Sequence, residues 1–143
     1  MQQAQKLLNN PKMRKFQNSK IEQVYIIFDK DDLSLQNLRD AKKEAERLGY
    51  EIGFSNESIE LWILLHFQFV TKAYHRDELK QEISKYINRE YDKKAKADEQ
   101  LISSFTERLC IALENAKRFR SELVFDENPY TNIGYIIKKI YET

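Results

Sequence analysis

The sequence predicts an α/β protein in which a small parallel sheet precedes a helix-rich C-terminal half. Residues 23–28 are mostly β-branched and aromatic, which is typical of a strand buried on both faces of a sheet. Residues 50–54 alternate weakly between polar and apolar, which predicts a second short strand. The chain has only three glycines and two prolines, so few positions interrupt helices. Helices joined by short polar turns should therefore make up most of the molecule.

A crossover helix is expected between the two strands. Ser34 is a suitable N-cap, and Gly49 is a suitable stop because glycine readily adopts the left-handed conformation at a helix end. The apolar residues between them form one stripe at helical spacing: Leu35, Leu38, Ala41, Ala45 and Leu48. Strand, helix and strand together predict a βαβ unit with a right-handed crossover. We expect this unit to form a core over residues 20–70.

The remainder, residues 71–143, is predicted to be helical. Before it, residues 59–70 are almost wholly apolar and predict a helix buried on most sides. Residues 76–91 and 101–119 have apolar residues at helical spacing and predict two amphipathic helices. Residues 89–98 are charged and predict a solvated turn or linker. Residues 126–132 predict a loop that leads into a terminal helix.

Composition and charge narrow the class of protein. A chain of 143 residues with 41% hydrophobic content fits one domain. The net charge is only +1, so contact with nucleic acid would need local basic patches. The one cysteine, Cys110, excludes an internal disulfide and is expected to be buried. Neither a membrane span of about 20 apolar residues nor a signal peptide is recognisable, so we expect a cytoplasmic protein that does not bind membranes.

Three carboxylates follow the first predicted strand, at Asp29, Asp31 and Asp32. In parallel α/β sheets, ligands bind outside the carboxyl ends of the strands. In an extended segment Asp29 and Asp31 would point to the same side, which suits two oxygen ligands for Mg²⁺ or Mn²⁺. Aspartate-rich turns also cap helices and solvate strand ends. The pattern therefore leaves both a metal site and a structural turn open.

A second polar cluster lies in residues 55–67, where the second strand meets the apolar helix. Glu60 falls near the positive end of this helix dipole. An acid between apolar neighbours normally pairs with a cation or a metal. Trp62 is expected to fill the core, and His66 is expected to be a hydrogen-bonded core or rim residue. His75 lies nine residues further on in a polar stretch, so a zinc site is not expected.

Three segments resemble, in the same order, the signatures of the RloB-like family. They are Ile-Ile-Phe-Asp-Lys-Asp at 26–31, Ser-Asn-Glu-Ser-Ile-Glu-Leu-Trp-Ile-Leu-Leu-His-Phe at 55–67, and Asn-Pro-Tyr-Thr-Asn-Ile at 128–133. The middle segment is the most specific, because the family usually reads Ser-Asn-Pro, an aromatic residue, Glu and Leu-Trp-Leu-Leu-His-Phe. The resemblance spans roughly residues 23–140, and three ordered motifs match by chance far less often than one.

This resemblance implies a fold related to Toprim and a role in phage defence or abortive infection. RloB-like proteins are encoded near restriction and phage-defence genes, often with an ATPase partner. Toprim nucleases and topoisomerases hold Mg²⁺ with a glutamate after the first strand and an Asp-x-Asp after a later strand. The resemblance thus assigns Asp29 and Asp31 to the metal, Glu60 to a further ligand or base, and Lys30 to phosphate contact. Other signature positions are Asn56, Trp62, His66, Asn128, Thr131 and Asn132.

The chain departs from the family pattern at its beginning. Relatives start with a strand and a Glu-Gly-x-x-Glu segment, whereas residues 2–8 look like the interior of the following helix. The first strand and its glutamate are therefore expected to be missing. Either the gene product is truncated, the sequence is a fragment, or another residue such as Glu60 replaces the missing carboxylate. Glu57 also stands where relatives have proline, which a helix start tolerates well.

Two functions remain open from the sequence. The first is a Mg²⁺-dependent or Mn²⁺-dependent nuclease-type domain that acts on DNA or RNA, and that would be inactive if the missing glutamate is essential. The second is a non-catalytic interaction module, in which the acidic loop only caps a helix and exposed faces bind a partner such as a defence-associated ATPase. The first requires a divalent cation and the second does not.

Overall fold

The computed structural model describes residues 23–142 and confirms an α/β fold. These residues contain three strands and seven helices. In chain order they are β1 Tyr25–Asp29, α1 Leu35–Leu48, β2 Glu51–Asn56, α2 Glu60–Leu64, α3 Arg76–Ile87, α4 Lys93–Lys96, α5 Glu99–Thr106, α6 Leu109–Ala116, β3 Tyr130–Thr131 and α7 Ile133–Glu142. The predicted helix interior at residues 2–8, and with it the expected loss of the first strand, lies outside the described residues.

The sheet has the order β1, β2, β3, with β1 parallel to β2 as predicted. The short β3 runs antiparallel to β2, with Ser55 opposite Thr131 and Asn56 opposite Tyr130. We predicted that the first strand would be buried on both faces, and this was wrong. In the described residues β2 is the middle strand and is buried along most of its length, whereas Ile27 of β1 is 52% exposed. A β-branched run predicts a strand, but only its neighbours decide how deeply it is buried.

The described residues fall into two compact units. The first comprises residues 23–27 and 33–53, with the beginnings of β1 and β2 and the whole of α1. The Ser34 hydroxyl accepts a hydrogen bond from the Asn37 N–H, and Gly49 ends α1 with a left-handed φ of +73°. Both predicted caps of the crossover helix are therefore confirmed. The prediction of a single domain stays a prediction.

The second unit comprises residues 28–32 and 54–142 and contains the larger apolar core. The predicted helix over 59–70 is shorter than expected, since α2 ends at Leu64. The segment nevertheless supplies much of the core, with Leu61, Leu64, Leu65 and Val70 all buried. After Leu64 the N–H groups of His66 and Phe67 bond to carbonyls three residues back, so the chain tightens into turns while its side chains stay inside.

Two further predictions about this unit were wrong. The predicted helix over 101–119 is divided into α5 and α6, with a break at Arg108, whose φ and ψ of −104° and 7° are not helical. The charged segment 89–98 is not a solvated linker, because it contains α4 and buries Tyr91 and Ala95. Tyr91 lies before the extended N-cap Asp92 and Ala95 lies within α4, so the two residues are buried from different local structures. Two apolar positions were too few to predict this from the sequence.

The C-terminal part of the second unit contains a close contact between α6 and α7. A Cβ placed on Gly134 of α7 would lie 2.8 Å from the Cβ of Ala116 in α6, so only glycine permits this packing. The loop before α7 was predicted as irregular but contains β3 and a cis peptide bond between Asn128 and Pro129. Cys110 on α6 is exposed, so the prediction of a buried thiol was wrong. In residues 23–142, none of the helices has the length and apolar character needed to cross a membrane.

Candidate functional site: the acidic end of β1

The end of β1 is fastened to the segment that follows β2. Asp29 is the last residue of β1, and its carboxylate accepts a hydrogen bond of 2.6 Å from the N–H of Ile59, directly before α2. The N–H of Lys30 bonds to the carbonyl of Ser55 at 2.9 Å, and the N–H of Asp31 bonds to the carbonyl of Glu57 at 3.3 Å. These bonds bring the two polar clusters of the sequence together at one place. The carboxyl end of the strand is where ligands are expected in such folds.

The Asp29 carboxyl has an unusual electrostatic environment. Burial raises its pKa from 3.8 to about 6, the hydrogen bond from Ile59 opposes this, and the negative charges of Asp31 and Glu60 add to the rise. Lys96 opposes it more weakly. Asp29 also forms no ion pair with any residue in the part of the chain that the structure describes. Asp29, Asp31 and Glu60 therefore share one electrostatic site, in which Lys96 only partly offsets the negative charge around Asp29.

Glu60 is buried and is neutralised by a residue that sequence reasoning missed. Its side chain is 3% exposed, and one carboxylate oxygen lies 2.6 Å from Nζ of Lys96 in α4. Burial alone would raise the pKa of Glu60, but the hydrogen bond from Lys96 holds it below the usual range. Lys96 stands in the charged segment that we had interpreted as a solvated linker. The available signal was the run of lysines at 93, 94 and 96, which has no distinctive spacing.

Arg76, the first residue of α3, forms ion pairs with both Asp31 and Asp32. One guanidinium nitrogen lies 2.9 Å from Asp31 Oδ1, and another lies 3.2 Å from Asp32 Oδ1. Asp31 has a φ of +42°, so the chain is already turning there and is no longer extended. The expectation that Asp29 and Asp31 share a side by strand alternation therefore does not apply. Arg76 was also missed, because it is separated from these carboxylates by more than forty residues of sequence.

A divalent cation would have to fit this arrangement of acids and bases. In residues 23–142, no three His, Cys, Asp or Glu side chains are grouped as a ready metal site. Carboxylate oxygens are the ligands that Mg²⁺ and Mn²⁺ prefer, and the negative charge around Asp29 is only partly neutralised. Asp31 and Glu60 could act as ligands only after releasing Arg76 and Lys96. The described residues therefore form no preformed three-carboxylate cage, and a cation at Asp29 stays a prediction.

Three of the remaining signature residues connect the end of β2 to β3 and the residues around it. Asn132 Oδ1 accepts a hydrogen bond of 2.7 Å from the N–H of Phe54, and Thr131 Oγ1 lies 2.8 Å from the hydroxyl of Ser55. Asn56 Nδ2 donates to the carbonyl of Glu127 at 2.9 Å. Asn128 precedes the cis proline and is exposed. These polar residues are needed because the buried strand end has backbone groups that its neighbours must satisfy.

Trp62 and His66 lie in the core, as predicted. They are 7% and 5% exposed, and Nδ1 of His66 lies 3.0 Å from the carbonyl oxygen of Trp62. Neither residue contacts the three carboxylates through a hydrogen bond or ion pair in the described residues. Lys30 follows Asp29 directly and is half-buried. Its expected contact with phosphate stays a prediction.

Comparison with known protein families shows to which family this chain belongs. The model of the family described as RloB-like protein matches residues 1–140. The chain belongs to the RloB-like family. Comparisons of this RloB-like chain with curated proteins and with solved structures find no match. Family membership confirms the resemblance carried by the three sequence motifs, which lie in β1, in the β2 to α2 segment and at β3.

Proposed function

We propose that this RloB-like domain binds a divalent cation at Asp29 and acts on the phosphodiester bonds of DNA or RNA in phage defence. The observation that best supports this is the raised pKa of Asp29 beside two further carboxylates at the carboxyl end of a strand. A carboxylate with excess negative charge around it gains most from a bound cation. An acid with a strongly perturbed pKa in such a position is a candidate functional residue.

The proposed roles follow from the contacts of each acid. Asp29 is the first ligand, because it has no ion pair to break in the described residues. Asp31 and Glu60 join it by exchanging Arg76 and Lys96, and these two cations then contact phosphate oxygens together with Lys30. A bound Mg²⁺ would supply charge stabilisation at the scissile phosphate. If Glu60 is not a ligand, it serves as the base that accepts a proton from water.

The first test is the response of thermal stability to metal. The melting temperature of the wild type should rise with millimolar Mg²⁺ or Mn²⁺, since a ligand that binds only the folded state stabilises it. Asp29→Asn should remove this rise without unfolding the protein, because asparagine keeps an oxygen that accepts the hydrogen bond of Ile59. Asp40→Asn, in an exposed position on α1, is the matched control and should respond like the wild type.

The second test is cleavage. Fluorescently labelled single-stranded and duplex DNA and RNA should be incubated with each variant in Mg²⁺, Mn²⁺ or EDTA. Cleavage that needs the metal and is lost in Asp29→Asn would support the nuclease. A melting temperature that does not respond to either cation would contradict the metal site for this chain, and the interaction module would then be the better proposal.

One observation favours the interaction module as a second candidate. Arg76 and Lys96 already neutralise Asp31, Asp32 and Glu60, so the acidic end is a stable set of ion pairs without a metal. The proposed partner is an ATPase encoded next to the gene. Co-purification of the two proteins that is unaffected by Asp29→Asn, with no metal response, would support this candidate.

A further inference from the structure

The second unit contains a cavity of about 360 Å³ between α2, α5 and α7. Its wall includes the rings of Trp62, His66 and Phe105, and its rim includes Ile102, Ile140 and Tyr141. The three rim residues are 49%, 46% and 74% exposed, so the cavity opens through an apolar mouth. Its volume lies within the range of small-molecule sites, which are commonly about 300–1,000 Å³.

His66 is the polar group of this cavity that can be assigned a hydrogen-bonding role. Nδ1 lies 3.0 Å from the carbonyl oxygen of Trp62 and 3.2 Å from that of Ile63. Carbonyl oxygens only accept hydrogen bonds, so Nδ1 carries the hydrogen. Burial keeps the pKa of His66 below its usual range, and the ring is therefore neutral near pH 7. Nε2 then bears a lone pair and is an acceptor.

Among the described residues, this acceptor has no hydrogen-bond partner. His66 is 5% exposed, and Nε2 forms no hydrogen bond with the residues that the structure describes. The ring lines the cavity and turns Nδ1 towards two carbonyls of the preceding helix α2, which leaves Nε2 as the nitrogen that an occupant can reach. Nε2 is not one of the fully buried polar atoms without a partner in the described residues, so solvent reaches it, and a ligand that supplies a donor takes the place of water there.

The rest of the wall restricts what the occupant can be. The rings of Trp62 and His66 are 5.0 Å apart and those of His66 and Phe105 are 5.7 Å apart, which gives the wall an aromatic surface. None of the described residues lining the cavity carries a charge. Their polar side-chain groups belong to Trp62, His66, Thr106 and Tyr141. A phosphate or carboxylate would be desolvated there without a counter-charge. Neutral planar molecules are therefore favoured over nucleotides.

We propose that this cavity binds a small, neutral, planar aromatic molecule with one N–H or O–H donor, which it gives to Nε2 of His66. The ring of the ligand packs against Trp62 and Phe105. This site does not depend on the proposed metal chemistry, because none of the acidic residues at the end of β1 lines the cavity. Failure of one proposal therefore leaves the other standing.

The test uses a pair of probes that differ in the donor alone. Indole and benzothiophene have nearly the same bicyclic shape, but only indole has an N–H. Trp62 is the one tryptophan of the chain, so its side-chain N–H gives a single NMR resonance that reports on the cavity. Indole should shift this resonance saturably, and benzothiophene should bind about tenfold more weakly because it leaves Nε2 unpaired. Equal binding of the two probes, or no shift with either, would overturn the proposal.

Variants then assign the donor contact to His66. His66→Phe should remove the preference for indole over benzothiophene, whereas the exposed His75→Gln should keep it. If His66→Phe does not fold, Phe105→Leu replaces it and should weaken both probes by the same factor. N-acetyltryptophanamide distinguishes a free ligand from a side chain of a partner protein. If N-acetyltryptophanamide binds as tightly as indole, the occupant would be a tryptophan side chain of a partner protein, and the proposal of a free small molecule would be overturned.

Discussion

At the scale of single residues, Asp29 combines a structural bond with an electrostatic penalty. Its carboxylate accepts the Ile59 N–H, yet burial and two neighbouring acids raise its pKa to about 6. A pKa that is higher in the folded state than in the unfolded state means that the folded state holds the proton more tightly. Ionised Asp29 therefore lowers the free energy of unfolding. This penalty is absent below pH 4, grows as the pH rises to 6, and is complete above it.

Asp29→Asn should consequently stabilise the protein at pH 7.5 in the absence of metal. A shift from 3.8 to about 6 corresponds to about 3 kcal/mol, which solvent screening of this half-buried group reduces to about 1–2 kcal/mol. Urea unfolding at pH 4 and pH 7.5 would measure it, and the difference between variant and wild type should shrink at pH 4. A variant less stable than the wild type at pH 7.5 would show that the hydrogen bond of Ile59 outweighs the repulsion.

Ionised Glu60 should not lower the free energy of unfolding as ionised Asp29 does, because the buried carboxylate of Glu60 is paired with Lys96. Lys96→Met should leave the 3% exposed carboxylate of Glu60 without a counter-charge. We expect it to lose about 2–4 kcal/mol of unfolding free energy near pH 7, less than for a fully buried pair because Lys96 is 43% exposed. Urea unfolding would measure the loss.

Two further variants identify the ion pair as the cause. Lys94→Met, on an exposed position of the same short helix, should change stability little. The double variant Lys96→Met with Glu60→Gln should recover part of the loss, since it removes the stranded charge. A double variant as unstable as the sum of both single variants would mean that the pair contributes nothing beyond the packing of each side chain.

At the scale of elements, the contact between α6 and α7 depends on one missing methyl group. Gly134→Ala would place a Cβ 2.8 Å from the Cβ of Ala116 and 3.4 Å from the ring of Trp62. Alanine is the better helix former by about 1 kcal/mol, but overpacking typically costs about 1–3 kcal/mol. We expect a net loss of stability in chemical denaturation. Adding Ala116→Gly should relieve the clash, and a double variant less stable than Gly134→Ala alone would contradict this explanation.

The elements also show which predictions depended on local patterns. Ser34 and Gly49 delimit α1 as expected, because caps act through backbone groups only a few residues away. The break between α5 and α6 at Arg108 was not predicted, since no glycine or proline marks it. The two-residue β3 was missed because it exists only through pairing with β2. Its hydrogen-bond partners are more than seventy residues away in the sequence.

At the scale of the whole molecule, a net charge of +1 means that any binding of nucleic acid is local. If Arg76, Lys96 and Lys30 contact phosphates, the logarithm of affinity for single-stranded DNA should fall with the logarithm of salt concentration with a slope of about −2. Arg76→Gln should reduce this slope by about 0.7. Fluorescence anisotropy at several salt concentrations would measure both. A slope steeper than about −5 would mean that another surface binds the nucleic acid.

The sequence by itself determined the α/β class, the parallel pairing of the first two strands, the crossover helix and membership of the RloB-like family. It also predicted that Asp29 and Glu60 share a metal site, which stays a prediction. Only the tertiary structure decided which strand is central, that Cys110 is exposed, and that Arg76 and Lys96 neutralise the acids. Ion pairs and burial depend on contacts between residues far apart in the chain. Their partners have no fixed spacing, so no pattern in the sequence reveals them.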